Sequence, residues 1–408
     1  MNKIKVLHIN TFDSYGGAAQ VANDLISCTQ TQNSFLVKYK KTDRDLVIAF
    51  TNKNFIDLLF LLIDKLRSLF GIMNPIRFKL GLGDSLNGTY KKLLKIKEYR
   101  EADIVHLHNI HGGYFDITAL VKIAKEKKLV WTLHDMWMMT GGEAATFDND
   151  NYKYGVAQTP FGNNYPLLNP YFDKRDYYMK KKKKIYQQIA KSLHVVPVSY
   201  WIERSLRQSY VYENNIAVKT IQNGTNLSIF SNQNLRHWKK PRILFFNFES
   251  PFKGSHLFAA ILKKIQPEFD LLLIGNKIEG IAPIHYSDFI HSRTKLAEIY
   301  NQADILVFPS LAESLPITVL EAMACGVCIV GSDIGGIPEI LDEQYAYVFR
   351  SGNSEHLLTK INSALMNLEE TRQKGLHGEK IVQEKFDLKN CALQYEKLYA
   401  EILGDTHR

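Results

Sequence analysis

Short apolar runs alternate along this chain with longer stretches that carry a helical pattern. The runs lie at residues 4–10, 103–109, 129–135, 193–199, 242–248, 270–275, 304–310 and 328–333. Buried strands of parallel sheets read as apolar runs of this length, with helices between them. The pattern therefore predicts an α/β fold built from two parallel units in series.

The length and composition also fit two domains. The chain has 408 residues, of which 45% are hydrophobic and 12% aromatic, enough to bury a core in each domain. The segment 222–241 is polar and rich in turn residues, which is typical of a linker. We predict an N-terminal domain over 1–225 and a C-terminal domain over 226–387.

The segment "ESLPITVLE" at 313–321 places two carboxylates around the start of a predicted helix. Proline is tolerated only in the first turn of a helix, so Pro316 marks the helix start. Glu313 then precedes the helix and Glu321 lies in its second turn. The helix N-terminus is suited to phosphate, and a carboxylate on each side is suited to hydroxyl groups. A nucleotide-sugar fits this layout, although a capped helix with one solvated acid gives the same spacing.

Other predicted strands also end in polar or glycine residues. These are Gly16 and Gly17, His134 and Asp135, Lys253 and Gly254, and Gly335 and Gly336. Ligands of open α/β sheets bind outside the carboxyl ends of the strands. The strand ends of both domains together predict a cleft between the two domains as the site.

The net charge of +9 indicates an acidic partner. Lysines cluster at 90–97 and 180–184 without the interleaved aromatic residues of a nucleic-acid groove. The apolar stretch 54–73 contains charges that make it too short to span a bilayer. It either lies in a membrane surface as an amphipathic helix or packs in the first domain. The long, aperiodic segment 141–176 is typical of a functional loop.

The cysteines do not form a disulfide framework in a chain of this size. "CGVC" at 325–328 has the spacing of a redox motif, but it leads into an apolar strand, and we interpret both cysteines as packing residues. The chain begins with strand-like residues, without the apolar core of a signal peptide, so we expect a cytoplasmic location.

The stretch "FPSLAESLPITVLEAMACGVCIVGSDIGGIPEIL" resembles the signature of the retaining glycosyltransferases of family 4, with their E-x7-E motif. "GGAAQVA", "TLHDMW…TGG", "NG" and "KG" add similar motifs in the expected order. The stretch around "WTLHDMWMMTGG" is most similar to enzymes of capsular and exopolysaccharide biosynthesis. The resemblance implies the GT-B fold, in which two Rossmann-like, doubly wound domains face each other across a cleft. It also implies that a C-terminal helix, at 388–408, returns to the first domain.

The resemblance implies roles for particular residues. Glu321 would bind the ribose hydroxyls and Glu313 the transferred sugar, while Lys253 would hold the diphosphate. The diphosphate would also bind backbone N–H groups at Ser314, Leu315 and Ile317. The remaining donor-site residues are Gly16, Gly17, Asn247 and, beside the reacting carbon of the sugar, His134.

One of these positions departs from the family pattern. Many members carry an arginine where this chain has Asn247, so Lys253 and the helix terminus would have to neutralise more of the leaving diphosphate. His134, with Glu313 and Lys253, is the candidate for catalysis, although positioning or packing would place a histidine there equally well.

The resemblance further implies a metal-independent hexosyl or glycosyltransferase that retains the anomeric configuration and uses no cofactor. "DND" at 148–150 is similar to the metal motif of another glycosyltransferase fold, but we assign it to a turn. The implied partners are a nucleotide-diphosphate sugar and a glycan or polyprenyl-linked glycan acceptor, with peripheral contact to an anionic membrane at the inner face of the cell and no nucleic acid. The alternatives are an inactive relative, an epimerase or phosphorylase of the same fold, and a nucleic-acid-binding protein.

Overall fold

The computed structural model describes residues 3–50, 63, 80, 88–147, 149–155, 172–248, 250, 252–280 and 282–404. The chain divides into two compact units. The first unit consists of Met1–Ile221 and Ala392–Arg408, and the second of Gln222–Cys391.

The first unit is built on a 7-stranded sheet in which every pair of neighbouring strands is parallel. Its strands are β1 (Lys5–Phe12), β2 (Gln32–Tyr39), β3 (Val47–Ala49), β4 (Ile104–Leu107), β5 (Lys128–Leu133), β6 (Leu193–Pro197) and β7 (Ala217–Val218). Their order in the sheet is β3-β2-β1-β4-β5-β6-β7. The described helices are α1 (Gly17–Cys28), α2 (Thr89–Leu93), α3 (Lys97–Glu101), α4 (Ala119–Glu126), α5 (Arg175–Ile189) and α6 (Tyr200–Gln208).

The second unit repeats this architecture with a 6-stranded parallel sheet. Its strands are β8 (Arg242–Asn247), β9 (Asp270–Gly275), β10 (His285–Ser287), β11 (Ile305–Phe308), β12 (Cys328–Ser332) and β13 (Tyr347–Phe349). Their order is β10-β9-β8-β11-β12-β13. The helices that follow β8 are α7 (Ser255–Ile261), α8 (Arg293–Tyr300), α9 (Ile317–Ala324), α10 (Ser354–Met366), α11 (Leu368–Lys385) and α12 (Leu388–Leu403).

Both sheets reverse their strand order at an internal pair of strands. The pair is β1 and β4 in the first unit and β8 and β11 in the second. Loops leave such a pair in opposite directions, which opens a crevice at the carboxyl ends of the strands. The Gly16-Gly17 loop follows β1, Lys253 follows β8, and Glu313 follows β11. The fold thus confirms two Rossmann-like α/β units and places these predicted site residues at the reversal points of their own sheets.

The strand cores explain why the apolar runs predicted strands. All four residues of β4 are buried, as are all five residues of β12. Some strand positions bury polar side chains instead: His8 and His106, for example, are fully buried and are paired in register between β1 and β4. Polar side chains at such positions require hydrogen-bond partners.

The last helix, α12, begins in the second unit and ends in the first. Two of its tyrosines reach the sheet of the first unit. The Tyr399 hydroxyl lies 2.7 Å from His106 Nδ1, and the Tyr395 hydroxyl lies 2.9 Å from Thr132 Oγ1. The helix therefore supplies hydrogen-bond partners to polar groups that the sheet buries.

No disulfide joins the cysteines of the described residues. Cys325 and Cys328 are buried, and burial raises the pKa of each thiol to about 12. A thiol in this state is a poor nucleophile, so the "CGVC" spacing does not make a redox pair here.

Several of the sequence predictions fall partly or wholly outside the described residues. The stretch 54–73 does so except for Ile63, as do Asp148 of the "DND" turn and residues 156–171 of the long segment. Among the residues that the structure does describe, no helix is long and apolar enough to cross a membrane. The lysine run at 180–184 is not uniformly solvated, since Lys182 is buried and its ammonium donates to the carbonyl oxygen of Thr140 at 3.0 Å.

Candidate functional site

An ion pair lies at the reversal point of the second sheet. Lys253 Nζ is 2.6 Å from Glu313 Oε1. The Ser310 hydroxyl donates a second hydrogen bond, of 2.8 Å, to the same oxygen. Lys253 is 44% exposed and Glu313 only 12%, so the lysine can move while the carboxylate is held. The two residues that the sequence assigned to diphosphate and sugar are therefore direct neighbours.

Two glycines fix the backbone on either side of this pair. Gly254 has a φ of +61°, and a Cβ there would lie 1.9 Å from the carbonyl oxygen of Pro309. Gly335 has a φ of +62°, and a Cβ there would lie 1.9 Å from the carbonyl oxygen of Glu313. The Gly336 N–H donates to that same Glu313 oxygen at 3.2 Å. Only glycine permits so close an approach, so the loop that carries Glu313 is held at both ends.

Helix α9 begins next to this loop. Pro316 is the residue before the first turn, and no side chain caps the helix. The N–H groups of the first turn, from Ile317 onward, have no acceptor within the helix and lie at the positive end of its dipole. Leu315 is buried, and its carbonyl oxygen accepts a hydrogen bond of 3.0 Å from Asn223 Nδ2. Ser314 is half-buried in the same loop. The arrangement offers backbone donors to an anion, as the sequence predicts.

Glu321 is more enclosed than its predicted role suggests. It is 6% exposed, and its Oε1 lies 3.2 Å from Arg293 Nη2. The Tyr300 hydroxyl lies 3.4 Å from the other carboxylate oxygen. Burial, with a further contribution from Glu321, raises the pKa of Tyr300 well above its ordinary value, so that hydroxyl stays a donor. A ribose hydroxyl would share Glu321 with these two residues of α8.

Arg293 is a residue that the sequence interpretation did not assign. It begins α8, and its guanidinium lies 5.0 Å from the ring centroid of Phe230. Its position 28 residues before Glu321 gives no local spacing signal. The sequence interpretation also did not assign a group of aromatic rings around Phe289, which is 46% exposed. The ring centroid of Phe289 lies 6.1 Å from that of Phe248 and 4.7 Å from that of His291.

Asn247 lies at the carboxyl end of β8 but is turned toward a neighbouring loop. Its Nδ2 donates to the carbonyl oxygen of Asn276 at 2.8 Å. Gly275 approaches so closely that a Cβ there would lie 2.4 Å from the Asn247 carbonyl oxygen. The side chain thus joins β8 to the loop after β9, where the family pattern places a cation.

In the first unit, the Gly16-Gly17 loop leads from β1 into α1. Gly16 has a φ of +84°, a conformation that favours glycine, and no side chain caps the helix. Within the described part of the chain, no atom lies within 4 Å of a Cβ built at Gly16 or Gly17. The loop is therefore open above its backbone, which fits the predicted contact with a donor.

Histidines from three neighbouring strands form a continuous row in the first unit. His8 Nδ1 lies 3.1 Å from His108 Nε2, and His108 Nδ1 lies 2.9 Å from His134 Nε2. His106 stacks on His108 with ring centroids 4.3 Å apart. Burial lowers the pKa of His8 and of His134 to about 4, and those of His106 and His108 well below their ordinary value. The four imidazoles are therefore neutral near pH 7.

An acid–histidine pair lies next to this row. His111 Nε2 is 3.0 Å from Asp135 Oδ2, and the Trp137 N–H donates to Asp135 Oδ1 at 2.8 Å. Although burial acts to raise the pKa of Asp135, His111 and this backbone donor lower it. Asp135 therefore stays ionised, and its charge acts to raise the pKa of His134 against the effect of burial.

Metal binding can be considered at the same histidines. One nitrogen from each of His8, His106 and His108 lies within 4.8 Å of the others. Each ring nitrogen of these residues already has a hydrogen-bond partner: Asn33, Thr132, Tyr399 or another histidine of the row. A metal ion would have to displace these bonds, so the arrangement fits a hydrogen-bonded cluster better than a preformed metal site.

Comparisons with known proteins identify similar sequences and a similar fold. Residues 240–367 match the family model described as Glycosyl transferases group 1. Over 367 residues, 83% of this chain and 86% of the relative, the chain is 23% identical to the putative colanic acid biosynthesis glycosyl transferase WcaC of Escherichia coli K12. It is 28% identical to the Campylobacter jejuni N,N'-diacetylbacillosaminyl-diphospho-undecaprenol alpha-1,3-N-acetylgalactosaminyltransferase over 185 residues. That match covers 43% of this chain and only 48% of the relative.

A solved structure with the same fold is that of Anabaena HepE in complex with UDP-glucose. Its TM-score is 0.65 at 16% identity, and the alignment covers 98% of this chain and 100% of that one. At this identity the likeness shows the fold alone.

Proposed function

We propose that this chain moves a sugar from a nucleoside-diphosphate sugar to a glycan acceptor. Its fold is GT-B, and its residues 240–367 match the model of the group 1 glycosyltransferases. The acceptor is lipid-linked, the anomeric configuration is retained, and no metal takes part. The observation that carries the proposal is the pair formed by Lys253 and Glu313 beside the uncapped start of α9.

The donor diphosphate binds the ammonium of Lys253 and the N–H groups of the first turn of α9. As the bond between sugar and phosphate breaks, negative charge grows on the leaving diphosphate, and fixed donors of this kind stabilise it. Lys253 is 44% exposed, so it can turn from Glu313 to the phosphate without unfolding the loop. Glu313, still held by Ser310, then accepts a hydrogen bond from a hydroxyl of the sugar.

Glu321 binds the ribose at the second turn of α9. Arg293 and Tyr300 fix the carboxylate in one orientation, so its two acceptor oxygens have a set direction. A buried, oriented carboxylate is suited to two neighbouring hydroxyls because it offers two acceptor oxygens. We propose in addition that the neutral imidazole of His134 accepts a hydrogen bond from a hydroxyl of the sugar.

Two relatives support a proposal for the acceptor. One is named for colanic acid biosynthesis, and another for transfer to a diphospho-undecaprenol-linked sugar. We infer a glycan acceptor on a lipid carrier, reached at the cytoplasmic face of the membrane, where the net charge of +9 favours contact with anionic lipid. Retention at the anomeric carbon is proposed from the resemblance of the E-x7-E motif.

The first experiment is a thermal-shift panel against UDP-, GDP-, ADP- and dTDP-sugars, because a ligand that binds the folded state raises its Tm. We expect one nucleotide class to raise the Tm and Glu321→Ala to abolish the rise. Glu321→Ala lowers stability by itself, so each shift is taken against the ligand-free Tm of the same variant. An absence of any shift would contradict the donor assignment.

Transfer is then measured with the donor class found and with membrane lipid extracts as acceptor, with and without EDTA. We expect a lipid-soluble product whose new linkage keeps the anomeric configuration of the donor, at a rate that EDTA does not change. Conversion of the donor without an acceptor would instead identify an epimerase. Donor binding without product would identify an inactive relative.

A further inference from the structure

The histidine row ends at an amide whose orientation is fixed. Asn33 Nδ2 donates to the carbonyl oxygen of Ile26 at 3.1 Å, so this atom is the nitrogen and the other is the oxygen. The Thr31 hydroxyl donates to Asn33 Oδ1 at 2.8 Å, in agreement with that assignment. His8 Nε2 lies 3.2 Å from Oδ1. Since an amide oxygen only accepts hydrogen bonds, His8 carries its proton on Nε2.

The direction of this hydrogen bond then determines the direction of the next one along the row. A neutral imidazole has one N–H, so His8 Nδ1 is an acceptor and receives the N–H of His108 Nε2 at 3.1 Å. His108 Nδ1 is then also an acceptor and receives the N–H of His134 Nε2 at 2.9 Å. One amide at the edge of the row thus determines the tautomer of all three histidines.

The far end of the row is His134, whose Nδ1 remains without a proton. His8 is fully buried and His108 nearly so, while His134 is half-buried at the end of β5. Within the described residues, no group donates a hydrogen bond to His134 Nδ1. This nitrogen is thus a bare acceptor at a strand end where the fold places ligands.

The row does not transport protons. A relay would require a group at its end that takes up the proton, and the amide oxygen of Asn33 has no such capacity. The neighbouring His106 is also closed off, with its nitrogens 2.7 Å from the Tyr399 hydroxyl and 2.8 Å from the Thr132 hydroxyl. The arrangement therefore orients a histidine and fixes its tautomer.

We propose that Asn33, His8 and His108 are positioning residues that lock His134 as the Nε2-protonated tautomer, so that its Nδ1 accepts a hydrogen bond from a hydroxyl group of the sugar ligand. The tautomer lock stands on the contacts of the first unit alone. Its use on a sugar hydroxyl rests on the function proposed above. A histidine in the other tautomer would present an N–H at this position and would repel the hydrogen of a hydroxyl that donates.

The lock is tested by NMR on the full chain labelled with ¹⁵N at histidine. Long-range proton–nitrogen spectra distinguish a protonated from a bare ring nitrogen, and His134→Gln identifies the signals of His134 among the 13 histidines. In the ligand-free wild type we expect His134 to be protonated at Nε2 and bare at Nδ1. A proton on Nδ1 would overturn the proposal without any variant.

Variants of Asn33 test the origin of the polarity. Asn33→Leu removes the terminal acceptor, and we expect His134 to become a mixture of both tautomers. Asn33→Asp keeps an acceptor oxygen and should keep the wild-type tautomer even if Asn33→Leu does not fold. Thr132→Val is the matched control, because it breaks a buried hydrogen bond to His106 but leaves the row intact. Unchanged His134 signals in folded Asn33→Leu would contradict the lock.

Two further readings separate the proposal from its alternatives. Addition of zinc chloride should leave the His8 and His108 signals in place, whereas metal coordination would shift them and overturn the lock. In transfer assays, Asn33→Leu should lower kcat about tenfold, the equivalent of about one hydrogen bond, with rescue by Asn33→Asp. If no donor is ever transferred, the proposed function fails, while the NMR result still decides the tautomer.

Discussion

Lys253 Nζ lies 2.6 Å from Glu313 Oε1, so the cation that would bind the donor phosphates is paired with the carboxylate that would bind the donor sugar. The Ser310 hydroxyl donates to the same oxygen at 2.8 Å, so Glu313 keeps a hydrogen-bond partner when Lys253 moves. Because Lys253 is 44% exposed, its ammonium can turn from Glu313 to the diphosphate when the donor binds. Donor binding therefore changes the partners of Lys253 more than it changes the fold.

Replacement of Lys253 should separate phosphate recognition from nucleoside recognition. We expect Lys253→Met to weaken binding of the nucleoside diphosphate about tenfold, because a charge-assisted hydrogen bond is lost, and to change nucleoside binding much less. Isothermal titration with both ligands makes the comparison. Lys264→Met, at a lysine that pairs with Glu355 on the surface, is the matched control for the loss of charge. Equal losses for both ligands would contradict the phosphate role.

The enclosed carboxylate of Glu321 should also matter for stability. Glu321→Ala leaves the Arg293 guanidinium and the Tyr300 hydroxyl without this acceptor, and we expect a loss of about 2 kcal/mol. Glu313→Ala breaks a pair with an exposed lysine and should cost less than about 1 kcal/mol. Native-state hydrogen exchange of α8 and α9 measures both changes. If Glu313→Ala lowered the free energy of unfolding as much as Glu321→Ala does, burial of Glu321 would not explain its effect on stability.

Gly335 should be irreplaceable at the loop that carries Glu313. In Gly335→Ala, strained backbone and the clash with the Glu313 carbonyl oxygen should cost at least about 2 kcal/mol and displace the carboxylate. Gly352→Ala has a similar φ, +76°, but no atom of the described chain within 4 Å of its Cβ, so about 1 kcal/mol is expected. Urea unfolding and donor-induced Tm shifts test the pair. Equal losses of stability in the two variants would mean that the contact between residue 335 and the Glu313 carbonyl oxygen is unimportant.

The stability of the first unit should fall at mildly acidic pH. Burial lowers the pKa of His8 from 6.5 to about 4, against a hydrogen bond with Asn33 that acts to raise it. Unfolded His8 binds a proton below about pH 6.5 while folded His8 does not. The contribution of neutral His8 to the free energy of unfolding is therefore complete above that pH. It is lost as the pH falls toward 4, by up to about 1.4 kcal/mol per pH unit.

This dependence can be measured by urea unfolding between pH 5 and 7. A Trp238→Phe background leaves the tryptophans of the first unit as reporters, since Trp238 lies in the second. His8→Gln should flatten the slope by about the contribution of one proton. The same slope in both proteins would contradict the pKa shift of His8.

The strands that the sequence predicted are those whose residues are mostly apolar and buried. Each of the eight apolar runs contains a strand. The side chains of such a short apolar run are buried when the run lies inside a sheet that helices cover. These strands are β1, β4, β5, β6, β8, β9, β11 and β12. The missed strands are β2, whose first residues are polar, and the short strands β3, β7, β10 and β13, each with 2 or 3 residues. Segments this short carry no measurable periodicity, and their pairing is decided by the strand beside them.

The site was predictable as far as local spacing reaches. Strand ends and the proline before α9 located Glu313, Lys253 and the helix terminus. The contact between His8 and His108 spans 100 residues, and only the fold brings the two together. One signal was present in the sequence: histidines at 106 and 108 interrupt an apolar strand, and a buried strand carries such residues only where partners satisfy them.

The tyrosines of α12 have a consequence for the order in which the protein forms. Their hydroxyls complete the hydrogen bonds of His106 and Thr132, yet they lie in residues that follow the whole second unit in the chain. During synthesis, the first unit is therefore made first but finished last. Until residues 395 and 399 have emerged, its sheet holds these buried polar groups without two of their final partners, and the second unit has the opportunity to fold before the first is complete.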